Sequence, residues 1–142
     1  MDTTTTRTPR TIALTGRTPV RIVEEDWPIV AGASDHLFEG EHEFQSSRHT
    51  RMSLDVRQHA DGRAVVYGHY HYDTAYRREE SAEVWHGELL PAGADIPQAV
   101  QRVAASLDDA RKDAGAADRV RERSPFARLA QECLADLPAE VL

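Results

Sequence analysis

Four histidines stand on or beside one short stretch of the chain: His49, His59, His69 and His71. Imidazole can ligate a divalent metal, trade a proton near neutral pH, or stack on another ring. His69 and His71 are two residues apart, so on a β-strand they share a face and could share an ion. Asp73 continues that face. Arg51 and Arg57 lie nearby and oppose a cation, and metal ligands must be deprotonated. His69 and His71 are therefore the metal candidates that spacing allows, but surface imidazoles on a strand are the preferred reading, and no cofactor is expected. His36, His42, His49, His59 and His86 have no ligand spacing in sequence.

Other chemistry finds less support. No His-Glu-x-x-His, Cys-x-x-Cys or calcium-loop pattern is present. No serine sits in a Gly-x-Ser-x-Gly turn, and no glycine-rich phosphate loop occurs. Cys133 falls on an apolar helical stripe, where a thiol is inert. No motif names a reaction, so a non-enzymatic role is expected.

The histidines need an element to present them. Residues Arg51 to Tyr76 read as a β-hairpin folded at Ala60-Asp61-Gly62, since Asp-Gly is a strong hairpin signal. A three-residue turn with a glycine bulge sets His59 opposite Arg63 and Val56 opposite Val66. Met52, Leu54, Val56, Val66, Tyr70 and Tyr72 then share a core face. Ser53, Asp55, Arg57, Tyr67, His69 and His71 share the other. A two-residue turn would slip the register and mix those faces. The second face is expected to be open, with Arg51, Arg57, Tyr67, His69 and His71 forming a binding surface. Arg77 and Arg78, in the charged turn after Tyr76, join it.

Around the hairpin, residues 1–10 read as a disordered tail and 11–142 as a single domain. Thr11 to Leu14 and Val20 to Val23 read as short strands about Thr15-Gly16-Arg17. A helix is expected from Glu24, because Trp27, Val30, Ala31 and Ser34 recur at helical spacing and three acids suit a helix start. Residues 35–42 read as a loop, Phe44 as the start of a short strand, and Ser46-Ser47-Arg48 as a bend. A strand is expected over Ala82 to Leu90. A helix then starts at Asp95, with Gln98 completing a capping box. Ile96, Val100, Val103 and Leu107 form its apolar stripe; Asp108, Asp109, Arg111, Lys112 and Asp113 form a solvated face; Gly115 ends it. Residues 116–123 read as linker or frayed helix. Ser124-Pro125 starts a last helix, about 124–137, whose stripe is Phe126, Leu129, Ala130, Cys133, Leu134 and Leu137. That stripe must dock on this chain's sheet or on a second copy. The fold class is α+β: an antiparallel sheet of four or five strands with two or three helices mainly on one face.

Composition bounds the role. The chain has 142 residues, 40% hydrophobic and 29% charged, enough for a packed domain. Residues 1–42 carry four arginines against seven carboxylates, −3; residues 43–80 carry six against six; residues 81–142 carry seven cations against eleven acids, −4. Acidity thus flanks a balanced centre and gives −7 in all. Such a charge repels bulk nucleic acid and suits a basic partner surface. One cysteine, no leader-like apolar segment and no membrane-length run point to the cytoplasm. Arginine in place of lysine suggests a bacterial GC-rich genome. The expectation is a small acidic protein-binding or regulatory module, in the manner of inhibitors of nucleic-acid-handling or defence complexes. A homodimer through the open face or the last helix is the companion expectation. The alternatives are nucleic-acid binding through the sheet face, and a histidine metal site.

Overall fold

A computed structural model describes residues 7–39, 48–74, 81–113 and 122–138. The fold is α+β. Its strands are β1 (Pro9–Leu14), β2 (Arg17–Val23), β3 (Ile29–Glu39), β4 (Arg48–Gln58), β5 (Ala64–Thr74) and β6 (Ala82–Leu90), followed by helices α1 (Ile96–Asp113) and α2 (Pro125–Asp136). Strands β3-β4-β5-β6 form one antiparallel sheet in that order, and β1-β2 form a separate hairpin. No helix among the described residues is long and apolar enough to cross a membrane.

The β4–β5 register is the one the bulged turn requires. Val56 pairs with Val66, Arg57 with Val65, and Ser53 with His69. His59 N–H donates to the Arg63 carbonyl at 2.9 Å, and Gly62 takes a φ of 97° in the turn. Glycine meets that positive φ without a Cβ clash. Met52, Leu54, Val56, Val66, Tyr70 and Tyr72 are fully buried beneath the helices. Gly68, in the middle of that face, leaves room that Leu107 of α1 fills; a Cβ there would collide with the Leu107 side chain.

The helix expected from Glu24 does not form. Glu24–Asp26 make a single 3-10 turn, and Ile29–Glu39 run as β3. Pro28 biases Trp27 towards extended backbone, and Gly32 lowers helix propensity further. Ile29 and Val30 favour a strand, and β4 offers a full ladder from Ile29↔Arg57 to Glu39↔Arg48. Residues 35–39 are accordingly strand, not loop. Residues 40–42, Phe44, the bend at Ser46-Ser47, the turn from Arg77 to Glu80, and Gly115 to Arg121 lie outside the described residues. Pro9 and Arg10, expected in the tail, pair with Val23 and Ile22.

Both helices pack on the face that carries Met52 and Tyr70. The Asp95 carboxylate accepts from Gln98 N–H at 3.1 Å and starts α1. Ser124 precedes Pro125 but makes no side-chain cap. Its place is taken from α1: Asp108 Oδ1 accepts from Phe126 N–H at 3.0 Å and Oδ2 from Ala127 N–H at 3.1 Å. Asp108, expected on a solvated face, is buried for that reason. The Phe126, Leu129, Ala130 and Cys133 stripe docks inside this chain, against α1, β3 and β4. It needs no second copy to cover it.

Candidate binding face

The face opposite the helices divides into a covered half and an uncovered half. The β1–β2 hairpin covers one end. Ile12, Leu14, Ile22 and Trp27 bury a second core against Val65 and Tyr67 of β5. Gly87 permits the close approach, since a Cβ there would stand 2.6 Å from the Ala13 carbonyl oxygen. Thr15 N–H donates to the Gly87 carbonyl at 2.8 Å, and Gly87 N–H donates to Thr15 Oγ1 at 3.2 Å. The same Thr15 hydroxyl meets His86 Nδ1 at 2.9 Å. Desolvation holds the His86 imidazole below the usual histidine range.

Two residues expected on an open surface are therefore buried. Tyr67 and Arg57 are each only 5% exposed. Arg57 spends a donor from each of its three nitrogens internally: Nε to Tyr67 Oη at 2.8 Å, Nη1 to the Trp27 carbonyl at 3.0 Å, Nη2 to Glu24 Oε1 at 3.0 Å. Alternation assigned both to the correct side of the sheet. It could not show that a hairpin 40 residues upstream covers that side.

The uncovered half is built by strand pairing. Arg51 lies opposite His71 and His36, Ser53 opposite His69 and Ser34, and His69 opposite Trp85 of β6. Arg51 is exposed, and His69 and His71 are half-buried. Arg77 and Arg78 lie outside the described residues. Three members were not assigned to this face from sequence: His36, Trp85 and Glu83. His36 was missed because the false helix put it in a loop; Trp85 and Glu83 were missed because β6 carries no turn signal that fixes its register against β5.

Trp85 stands on the edge strand β6 of this half. It is 43% exposed and stacks on His69 with centroids 3.6 Å apart and planes at 14°. His69 is followed by His71, its ring 6.0 Å away and at 10°. Glu83 ties the stack: Trp85 Nε1 donates to its Oε1 at 3.3 Å, and His69 Nε2 lies 3.2 Å from Oε2. Burial against the indole pushes the His69 imidazole below the usual range, with Glu83 pulling the other way and His71 adding to the depression. The indole hydrogen bond, reinforced by His69, holds Glu83 below the usual carboxylate range. Deeper on the face, Gly32 leaves space for Asp55, whose carboxylate is raised by desolvation against the opposing pull of Arg57 and Arg10.

This arrangement can stack on and hydrogen-bond a partner. Among the described residues no three His, Cys, Asp or Glu side chains group as a metal shell. Burial pushes the Cys133 thiol up to about 11, so it is not a thiolate near neutral pH. Compared with known protein families, curated proteins and solved structures, the chain matches none.

Proposed function

We propose that the chain is a non-enzymatic protein-binding module whose contact surface is the uncovered half of the outer sheet face, with Trp85 as anchor and a basic protein surface as partner. The observation that carries this reading is the exposed indole held rigid by His69 and Glu83. A large aromatic fixed before contact loses little entropy on binding, and tryptophan and arginine dominate the energetic centres of interfaces. Glu83 and Asp73 stand on the same face as Arg51. With −7 over the chain, long-range attraction favours a cationic protein over a phosphate backbone.

The test compares the wild type with Trp85→Ala and with Gln101→Ala on the exposed side of α1, each as bait in a lysate of the native host. A bound protein that the Gln101 variant keeps, the Trp85 variant loses, and added salt weakens is the expected result. Equal capture by both variants would remove Trp85 from the interface. Binding of a single-stranded oligonucleotide at low salt, lost with Trp85→Ala, would turn the same face into a base-stacking platform instead.

A further inference from the structure

We infer that the free edge of β6 takes an extended, arginine-bearing segment of the partner as a fifth strand, laid beside Trp85. This rests on the proposed function, in which Trp85 is a contact residue, and adds the form in which the partner arrives.

β6 is the last strand of the β3-β4-β5-β6 sheet, so one side of its backbone has no strand of that sheet beside it. Which residues turn their amides to that side follows from one contact. Thr15 N–H donates to the Gly87 carbonyl at 2.8 Å, and Gly87 N–H donates to Thr15 Oγ1 at 3.2 Å. Gly87 therefore directs its backbone away from β5, and in an antiparallel ladder every second residue does the same. That places the N–H and C=O groups of Trp85 and Glu83 on the open side. The pairs Trp85↔His69 and Glu83↔His71 are then of the non-hydrogen-bonded kind, in which side chains approach most closely, and the 3.6 Å stack of Trp85 on His69 agrees. Among the described residues no backbone bond reaches Trp85 or Glu83 from that side. Thr15 is the first rung of a ladder that goes no further, and an unpaired edge is the template on which extended peptides add.

The side chains at the edge set the chemistry of the segment. His69, on β5, covers one face of the indole, so the other face points away from β5, to where an added strand lies. A planar guanidinium stacks on indole and draws on its π-electrons. Glu83 stands two residues away on the same face, its side chain 52% exposed, and supplies the counter-charge. Arg51 is the opposing cation of this half; it lies on β4, two strands from the edge, and is exposed and screened. His36 and His49 also stand back from the edge, bonded to each other across β3–β4 with ring nitrogens 3.3 Å apart. The chain's −7 attracts a cationic segment and repels the β6 of a second copy, which carries Glu83 and Glu88 itself.

The test offers the full chain a capped probe peptide of alternating threonine and arginine, which presents guanidinium groups on one face in either direction and in any register. Two relatives of the probe carry backbone N-methyl groups, one on every arginine and the other on every threonine. All three have the same charge, but an added strand turns the amides of alternate residues to β6, so one methylated form keeps the ladder and the other cannot make it. At low salt the parent peptide should bind and should move the Trp85 and Glu83 amide signals in NMR spectra of the wild type. Its affinity should fall about tenfold or more in one methylated form only, and about tenfold with Trp85→Ala. Glu83→Gln should weaken it less. Equal binding of both methylated forms, lost with Trp85→Ala, overturns the added strand and leaves the Trp85 surface standing. Parent binding that Trp85→Ala does not weaken removes both. No binding of the parent up to about 1 mM overturns the added strand, while capture from the lysate through Trp85 decides the surface separately.

Discussion

Arg57 Nε donates to the Tyr67 hydroxyl at 2.8 Å, diagonally across the β4–β5 ladder and beneath the N-terminal hairpin. The same guanidinium reaches the Trp27 carbonyl and the Glu24 carboxylate. One side chain thus ties the central sheet to the segment that leads out of β2. A planar fork of fixed donors suits three acceptors in different directions; an ammonium on a flexible stem does not.

Arg57→Ala is expected to lower folding stability by about 2–4 kcal/mol, because it leaves a buried hydroxyl and carbonyl unpaired and leaves Glu24 with only the more exposed Arg10 as cation. Arg57→Lys should recover only part of the loss. The urea midpoint measures both, and an unchanged midpoint for Arg57→Ala would mean that the guanidinium does not hold the hairpin.

Gly87→Ala should loosen the hairpin itself. The added Cβ would lie 2.6 Å from the Ala13 carbonyl oxygen and 3.1 Å from Tyr67 Cβ. Backbone on one side and a buried ring on the other leave little room to yield, and overpacking of this kind costs about 1–3 kcal/mol. Limited proteolysis followed by mass spectrometry should show faster cleavage within residues 7–23 than in the wild type.

Asp108 caps a helix other than its own. Asp108→Ala orphans the Phe126 amide, leaves the Ala127 amide only its 3.1 Å bond to the Ser124 carbonyl, and should cost about 1–2 kcal/mol. Asp108→Asn keeps one acceptor and should cost less. Burial raises the Asp108 carboxyl, while the two N–H donors, Arg111 and Lys112 oppose that rise. Amide exchange in the first turn of α2 offers the most local readout: protection there should fall in the alanine variant before it falls in α1.

Acid should destabilise the fold through His69 and His86. Desolvation depresses both imidazoles in the folded chain. The unfolded chain therefore takes up protons first, and stability declines as pH falls through and below about 6.5. Thermal melts between about pH 8 and 5.5 should show a shallower decline for the His69→Gln, His86→Gln double variant than for the wild type. Parallel curves would mean that neither ring resists protonation in the fold.

Trp85→Ala should behave unlike Arg57→Ala. Trp85 is 43% exposed, so its removal is expected to change stability by about 1 kcal/mol or less while abolishing partner capture. A large drop in melting temperature would make Trp85 part of the framework and not a contact residue.

Local pattern was enough for the hairpin that carries His69 and His71. Period-two alternation and the Asp-Gly turn are near-neighbour signals, and their physical basis is the same in any fold. The β6 strand, the Asp95 cap and the Pro125 start of α2 were equally readable, each from residues within a few positions. The segment from Glu24 to Glu39 was not. Its helical spacing was weak, and a ladder to β4, many residues downstream, offered more hydrogen bonds than an isolated helix holding Pro28 and Gly32. That one misreading displaced His36 from the outer face and hid its meeting with His49.

Sidedness, therefore, came from the order of residues along each strand, because successive side chains alternate whatever else the chain does. Exposure did not. Whether Tyr67 meets water or Trp85 does depends on where Ile12, Leu14, Ile22 and Trp27 come to rest, and that is settled by Gly87 leaving room for β1 and by Arg57 bonding across three segments. Such contacts join residues far apart in the chain, so their energy has no local signature, and only the packed molecule separates the covered half of the sheet from the half that remains free.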